Sequence, residues 1–170
     1  MKLNLARMKQ IVGSISEFEF KKQTLDLDLK REGIKTIGPV RVKGKIENLG
    51  DRILQASGQI EVVAQEICSR CLAQTQIRLL IDFSLKFSDT FSVLESEEED
   101  IIPFTGDEIN LYPQIVNEVI LNWPGQILCK IDCKGLCPKC GANLNTTVCK
   151  CKTENIDPRL AVLKQLLKSE

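Results

Sequence analysis

Apolar and polar residues alternate along much of the first ninety positions. In VRVKGKIEN, Val40, Val42 and Ile46 fall on one face, with Arg41, Lys43, Lys45 and Glu47 on the other. In LQASGQIEV, Leu54, Ala56, Gly58, Ile60 and Val62 share a face, and in IRLLIDFSLKF so do Ile77, Leu79, Ile81, Phe83, Leu85 and Phe87. A period of two predicts strands with one buried and one solvated face, the signature of antiparallel pairing. NLGDR, Asn48 to Arg52, carries turn residues between the first two strands. Shorter strands are expected at EFEF (Glu17 to Phe20) and LDLDL (Leu25 to Leu29).

The period changes after a block of negative charge, ESEEED (Glu95 to Asp100), which reads as a solvated linker. Leu111, Ile115 and Val119 are spaced by four, with Val116, Ile120 and Trp123 beside them, and Pro124-Gly125 follows. This predicts an amphipathic helix with Trp123 packing at its end. Near the C-terminus, Asp157 suits an N-cap and Pro158 a first turn, and Leu160, Leu163 and Leu167 line one face of a final helix. The expected class is α+β: an antiparallel sheet or partly closed barrel, a few helices, and a cysteine-rich metal-binding C-terminal segment. The expected division is residues 1–128, a β-rich body with the acidic loop and one helix, and residues 129–170, packed on the body as one domain.

Composition narrows the function. The 170 residues include 23 basic and 23 acidic side chains, so a uniformly basic nucleic-acid coat is excluded and any RNA contact must be local. The chain has one Trp and one Tyr, too few for a base-stacking platform. It has no histidine, which removes Ser-His-Asp and Cys-His catalysis and leaves thiolates and carboxylates as metal ligands. The first residues lack the apolar core of a signal peptide, and no apolar run approaches the ~20 residues that cross a bilayer, so a cytoplasmic protein is expected. Cytosolic thiols stay reduced, so its eight cysteines point to metal rather than disulfides.

Six of those cysteines lie in CKIDCKGLCPKCGANLNTTVCKC, Cys129 to Cys151; the other two are in ICSRCL. Cys68 and Cys71, like Cys137 and Cys140, form Cys-x-x-Cys turns that present two sulfurs to one ion while backbone amides stabilise thiolate charge. Cys129 with Cys133, and Cys149 with Cys151, complete two sets of four. The preferred partition is Cys68, Cys71, Cys129 and Cys133, then Cys137, Cys140, Cys149 and Cys151. Joining the two Cys-x-x-Cys turns, as zinc ribbons do, and a single site remain open. Four thiolates suit one or two structural zinc ions, with an iron–sulfur cluster as the alternative. A thioredoxin-like reading is disfavoured because ICSRCL lies between strands and does not open a helix. The Cys133-x3-Cys137-x2-Cys140 spacing of radical enzymes lacks the large α/β barrel they need.

CSRCL after a strand, an acidic loop, a helix ending in Trp-Pro, the cysteine block, and DPRLAVLKQLL occur here in that order. Together they resemble the YceD-like family, bacterial and plastid proteins associated with accumulation of large-subunit ribosomal RNA. The similarity runs over nearly the whole chain and is most specific in DCKGLCPKCGANLN, Asp132 to Asn145. The resemblance implies a cytoplasmic, non-enzymatic role in building or maintaining the large ribosomal subunit, with no small-molecule substrate and no membrane. The expected partner is large-subunit ribosomal RNA or a pre-ribosomal particle, or a ribosomal protein reached without RNA contact. The residues offered for RNA are Arg70, Lys130, Lys134, Lys139, Lys150 and Lys152, which could equally offset thiolate charge. Arg41, Lys43 and Lys45 are expected to be ordinary solvated surface.

Overall fold

The computed structural model describes residues 1–25, 36–89 and 101–151. Strands β2 (Ile15–Lys22), β3 (Thr36–Gly50), β4 (Ile53–Ile67), β5 (Gln74–Ser88) and β6 (Ile101–Pro103) form one sheet in sequence order. All neighbours are antiparallel except β5 and β6, which run parallel. The expected antiparallel sheet is present; β6 adds a parallel contact with only the last three residues of β5, which period-two patterning does not reveal. A second, two-stranded sheet pairs β1 (Lys2–Asn4) with β7 (Glu108–Asn110). Helix α1 (Tyr112–Leu121) follows, the one α-helix among the described residues. LDLDL begins at Leu25, which is buried but not in a strand; its other residues, the acidic block and the C-terminal helix lie outside the described residues. No helix among the described residues is long and apolar enough to cross a membrane.

The alternating pattern sets the buried face. Val40, Val42 and Ile46 of β3, Leu54, Ala56, Ile60 and Val62 of β4, and Ile81, Phe83 and Phe87 of β5 form one core. Helix α1 adds Ile115 and Val119 below Leu111, and Trp123 packs against the same core. The sheet curls into a half-barrel around these side chains.

One row across the sheet shows how it bends. Phe18, Gly44, Gly58 and Phe83 are successive partners on β2, β3, β4 and β5. A Cβ on Gly58 would lie 2.6 Å from the Cα of Gly44, and one on Gly44 2.9 Å from the Phe18 ring. Two side-chain-free positions let adjacent backbones approach and the sheet coil, and the Phe18 ring lies against Gly44.

The β3–β4 hairpin turns on Asp51 and Arg52, at φ 48° and 61°. Both central residues at positive φ give a turn whose twist matches the long strands it joins. Behind it, the buried Asn48 donates from Nδ2 to the Met8 carbonyl at 2.7 Å and accepts the Gly50 amide at 3.0 Å. A polar side chain so placed is satisfied and ties the N-terminal segment to the sheet.

Candidate metal centre

Cys68 and Cys71 lie in the β4–β5 connection, separated from the Asp51–Arg52 hairpin by the length of β4, roughly 45 Å at strand rise. The chain from Ile127 onward returns to this end. Ser69 N–H donates to the Ile127 carbonyl at 2.7 Å, and the Ser69 hydroxyl accepts the Ile127 N–H at 3.1 Å. The Arg70 guanidinium donates to the Cys133 carbonyl at 3.1 Å, and the Arg70 carbonyl accepts the Leu136 N–H at 3.1 Å. Gly135, at φ 75°, passes so close that a Cβ would lie 3.1 Å from that Arg70 carbonyl. These contacts bring Cys129 and Cys133 onto Cys68 and Cys71.

The eight sulfurs gather into two sets: Cys68, Cys71, Cys129 and Cys133, and Cys137, Cys140, Cys149 and Cys151, each within 4.8 Å. Sulfur separations are 3.7 Å for Cys68–Cys133, 3.6 Å for Cys71–Cys129, and 3.4 Å for both Cys140–Cys149 and Cys149–Cys137. A tetrahedral ion bound at about 2.3 Å places its sulfurs roughly 3.8 Å apart. The quartets therefore fit one small tetrahedral ion each, whereas a cubane cluster binds each cysteine to a different iron and spreads them wider. All eight cysteines are free thiols. The two Cys-x-x-Cys turns fall in different quartets.

Both turns share one backbone pattern. Cys68 N–H donates to the Ala73 carbonyl and Leu72 N–H to the Cys68 carbonyl, each at 2.9 Å. Cys137 N–H donates to Ala142 at 2.8 Å and Gly141 N–H to Cys137 at 2.9 Å. The residue after the second cysteine is left-handed in each, Leu72 at φ 58° and Gly141 at φ 71°. Glycine takes this conformation without strain; leucine does not. Leu72 is 64% exposed, so its side chain gives little packing in return. Leu72→Gly is expected to leave metal content unchanged and to raise stability by up to about 1 kcal/mol. A lower melting temperature in the metal-loaded variant would contradict this account of the turn.

The quartets differ in their surroundings. In the first, Cys68, Cys71 and Cys133 are buried with Ala73, Leu128 and Leu136 packed around them. In the second only Cys137 is buried and Cys140 is exposed. Asn145 links the two: its Nδ2 donates to the Cys133 sulfur at 3.4 Å and its Oδ1 accepts the Lys134 N–H at 2.9 Å.

Thiolate charge is unevenly shared. Burial pushes the Cys68 thiol up, but the backbone amides of Cys71, Cys129 and Arg70 outweigh it and hold it at about 6. Amides of Cys140 and Lys139 bring Cys137 to about 6. Cys129, bonded to the Cys71 sulfur and desolvated, is pushed up to about 12, and Cys151, against the Cys149 and Cys140 sulfurs, likewise to about 12. Each quartet thus sets at least one thiol held below the ordinary range against others pushed above it. A metal must displace the thiol protons, so its affinity falls as pH falls.

Of the residues offered for RNA, Lys130, Lys134, Lys139 and Lys150 are exposed at this end, as is Arg70. Arg70 also has the structural bond to Cys133, and Lys130 lies 3.9 Å from Asp132. Lys152 lies outside the described residues. Arg41 and Lys43 share the Glu19 carboxylate at 3.4 and 3.9 Å with Lys21, whose bond lowers that carboxyl's pKa, and Lys45 pairs with Glu47 at 3.5 Å. This stripe is compensated surface. A cavity of about 370 Å³ at the hairpin end, lined in part by Lys9, Asp89 and Phe104, is bridged internally. Lys9 pairs with Asp89 at 3.1 Å and Asp107 at 3.4 Å and lies over the Phe104 ring.

Pattern reasoning missed Asn145, Ser69 and Ile127. Only the repeated asparagines in GANLN hinted at a side chain bonding its own loop.

YlbN, an uncharacterized protein of Bacillus subtilis, is 27% identical over 175 aligned positions, covering 100% of this chain and 98% of its own. An uncharacterized protein of Mycobacterium tuberculosis is 29% identical over 128 positions, 74% of this chain but 61% of the relative's length. A maize protein named large ribosomal RNA subunit accumulation protein YCED homolog 1, chloroplastic, is 40% identical over 67 positions, 39% of this chain and 22% of its own. No solved structure matches. The profile of the family described as large ribosomal RNA subunit accumulation protein YceD matches residues 56–167, which take in most of β4, all of β5 and α1, and all eight cysteines. The chain belongs to the YceD family.

Proposed function

We propose that this chain is a non-catalytic cytoplasmic factor that sustains accumulation of large-subunit ribosomal RNA, with one zinc ion in each quartet. On this reading the metal-bound end contacts the RNA of a pre-ribosomal particle through Lys134, Lys139 and Lys150. The observation that carries it is the pair of matched cysteine turns at one end of the sheet, holding exposed lysines on short ordered loops. Family membership supplies the ribosomal context. A four-thiolate site has no open position for a reacting water, and the chain has no imidazole, both of which support a structural role for the metal.

Charge favours a second reading. Across residues 68–71 and 129–151 there are five cations (Arg70, Lys130, Lys134, Lys139, Lys150) and one carboxylate, Asp132. Two divalent ions in four-thiolate sites keep a formal charge of about −2 each, which brings the sum to zero. Ile131 and Val148 are 97% and 93% exposed on the same loops. Neutral loops with apolar tips suit a protein partner, such as a ribosomal protein, without RNA contact.

Ultraviolet cross-linking in cells separates the two. Wild type is expected to give reproducible sites on large-subunit ribosomal RNA. Replacing Lys134, Lys139, Lys150 and Lys152 with alanine is expected to remove most of them while metal content is kept. In vitro, the salt dependence of RNA affinity should lose a slope of about 0.7 per lysine that contacts a single strand. No cross-links from metal-loaded wild type would sink direct RNA contact and leave the protein-partner reading.

A further inference from the structure

Strand β5 has one neighbour for most of its length. β4 pairs with it from Gln74 to Ser88, whereas β6 meets its other side only at Lys86, Phe87 and Ser88. From Gln74 to Leu85 that outer edge has no backbone partner among the described residues. The β4–β5 register runs without a shift, and QTQIRLLIDFSL contains no proline or glycine. An open edge with neither bulge nor proline is a template for another strand. At its centre Leu80 is 60% exposed, though it points to the solvated face.

We infer that this edge pairs with the same edge of a second copy, antiparallel about a twofold axis at Leu80. The register carries the argument. Centred on residue 80, position i meets 160 − i of the partner copy. On the solvated face Leu80 meets Leu80, and on either side Arg78 meets Asp82. On the core face Leu79 meets Ile81 and Ile77 meets Phe83. Opposite charges and matched apolar residues directly across an antiparallel pair are stabilising, and like charges destabilising. Other registers lose this. Centring on residue 78 or 82 sets Arg78 against Arg78 or Asp82 against Asp82, and centring on 79 or 81 sets a charge against Leu80. The chosen register runs from Thr75 to Leu85 and ends where β6 begins.

Both charged residues lie on the solvated face and hold partners on β4: Arg78, 67% exposed at its side chain, pairs with Glu61, and Asp82 accepts the Gln59 amide at 3.0 Å. The second copy would therefore share these charges with β4, each already reaching toward that strand. A twofold interface is self-complementary by necessity, and this edge meets that condition in sequence as well as in backbone.

Charge reversal tests the register. Sedimentation velocity over a dilution series is expected to show a dimer of the metal-loaded full chain. Arg78→Asp alone would set carboxylates opposite carboxylates, and Asp82→Arg alone would set arginines opposite arginines. Each is expected to weaken dimerisation by roughly tenfold or more with unchanged far-UV circular dichroism. An equimolar mixture of the two variants restores both opposite-charge pairs and is expected to dimerise as wild type does. A monomeric wild type at every concentration overturns the inference. So does either variant remaining as dimeric as wild type, or a mixture no better than its components.

Discussion

With a zinc ion in each quartet, as proposed, Cys68→Ser is expected to release one of the two and to detach residues 127–136 from the β4–β5 turn. Cys68 is fully buried and its sulfur lies 3.7 Å from that of Cys133. The remaining three thiols would be left desolvated around a site that no longer closes. Structural zinc contributes on the order of 10 kcal/mol in small metal-folded units, comparable with the whole stability of a domain. Apart from the metal, the cysteine end is held by the Ser69 and Arg70 hydrogen bonds and by a small apolar cluster of Ala73, Leu128 and Leu136. Protease digestion should cut first between Trp123 and Cys151 in this variant. Cys140→Ser should also lose one ion, but with the body's melting temperature nearly unchanged, because the second quartet joins only residues 137–151. Metal analysis and thermal melting of both variants check this. Two retained ions in Cys68→Ser, or equal melting losses in the two variants, would contradict the division of labour.

Gly58→Ala is expected to cost about 3 kcal/mol, a drop of roughly 6–12 °C in melting temperature for a chain of this size. Its added methyl would collide with the Lys43 carbonyl and lie 2.6 Å from the Gly44 Cα. Both obstacles are backbone, held in the middle of 15-residue strands, so the neighbours cannot swing aside. Gly125→Ala, where nothing lies within 4 Å of the new Cβ, is the control and should change stability little. If the two substitutions melted alike, the close passage of β3 and β4 would not be what bends the sheet.

Much of the body was legible before any coordinates. Val40, Val42, Ile46, Leu54, Ala56, Ile60 and Val62 are all at most 2% exposed, and each lies on the face assigned by alternation. Ile115 and Val119 are the buried helical positions, as the spacing of four requires. These assignments succeed because they depend on local geometry: side chains on a strand alternate, and those on a helix recur each turn. β1, β6 and β7 were not legible. Three-residue strands are too short to show a period, and they exist because a neighbouring edge offers them hydrogen bonds.

The sequence alone determined the chemical inventory here: eight thiols, no imidazole, two Cys-x-x-Cys turns, and a curled sheet's worth of alternating residues. It also narrowed the cysteine partition, because short spacings favour local closure. Which thiols share a quartet was decided by tertiary structure. Cys68 and Cys129 are sixty-one positions apart along the chain, and no local rule joins them. They meet because β4 and the segment after α1 finish at the same end of the sheet, where Ser69, Arg70 and Gly135 fix the approach. The unequal burial of the two quartets has the same origin. One lies between two segments of the fold and the other closes on itself, so only the first is shielded by the protein it holds together.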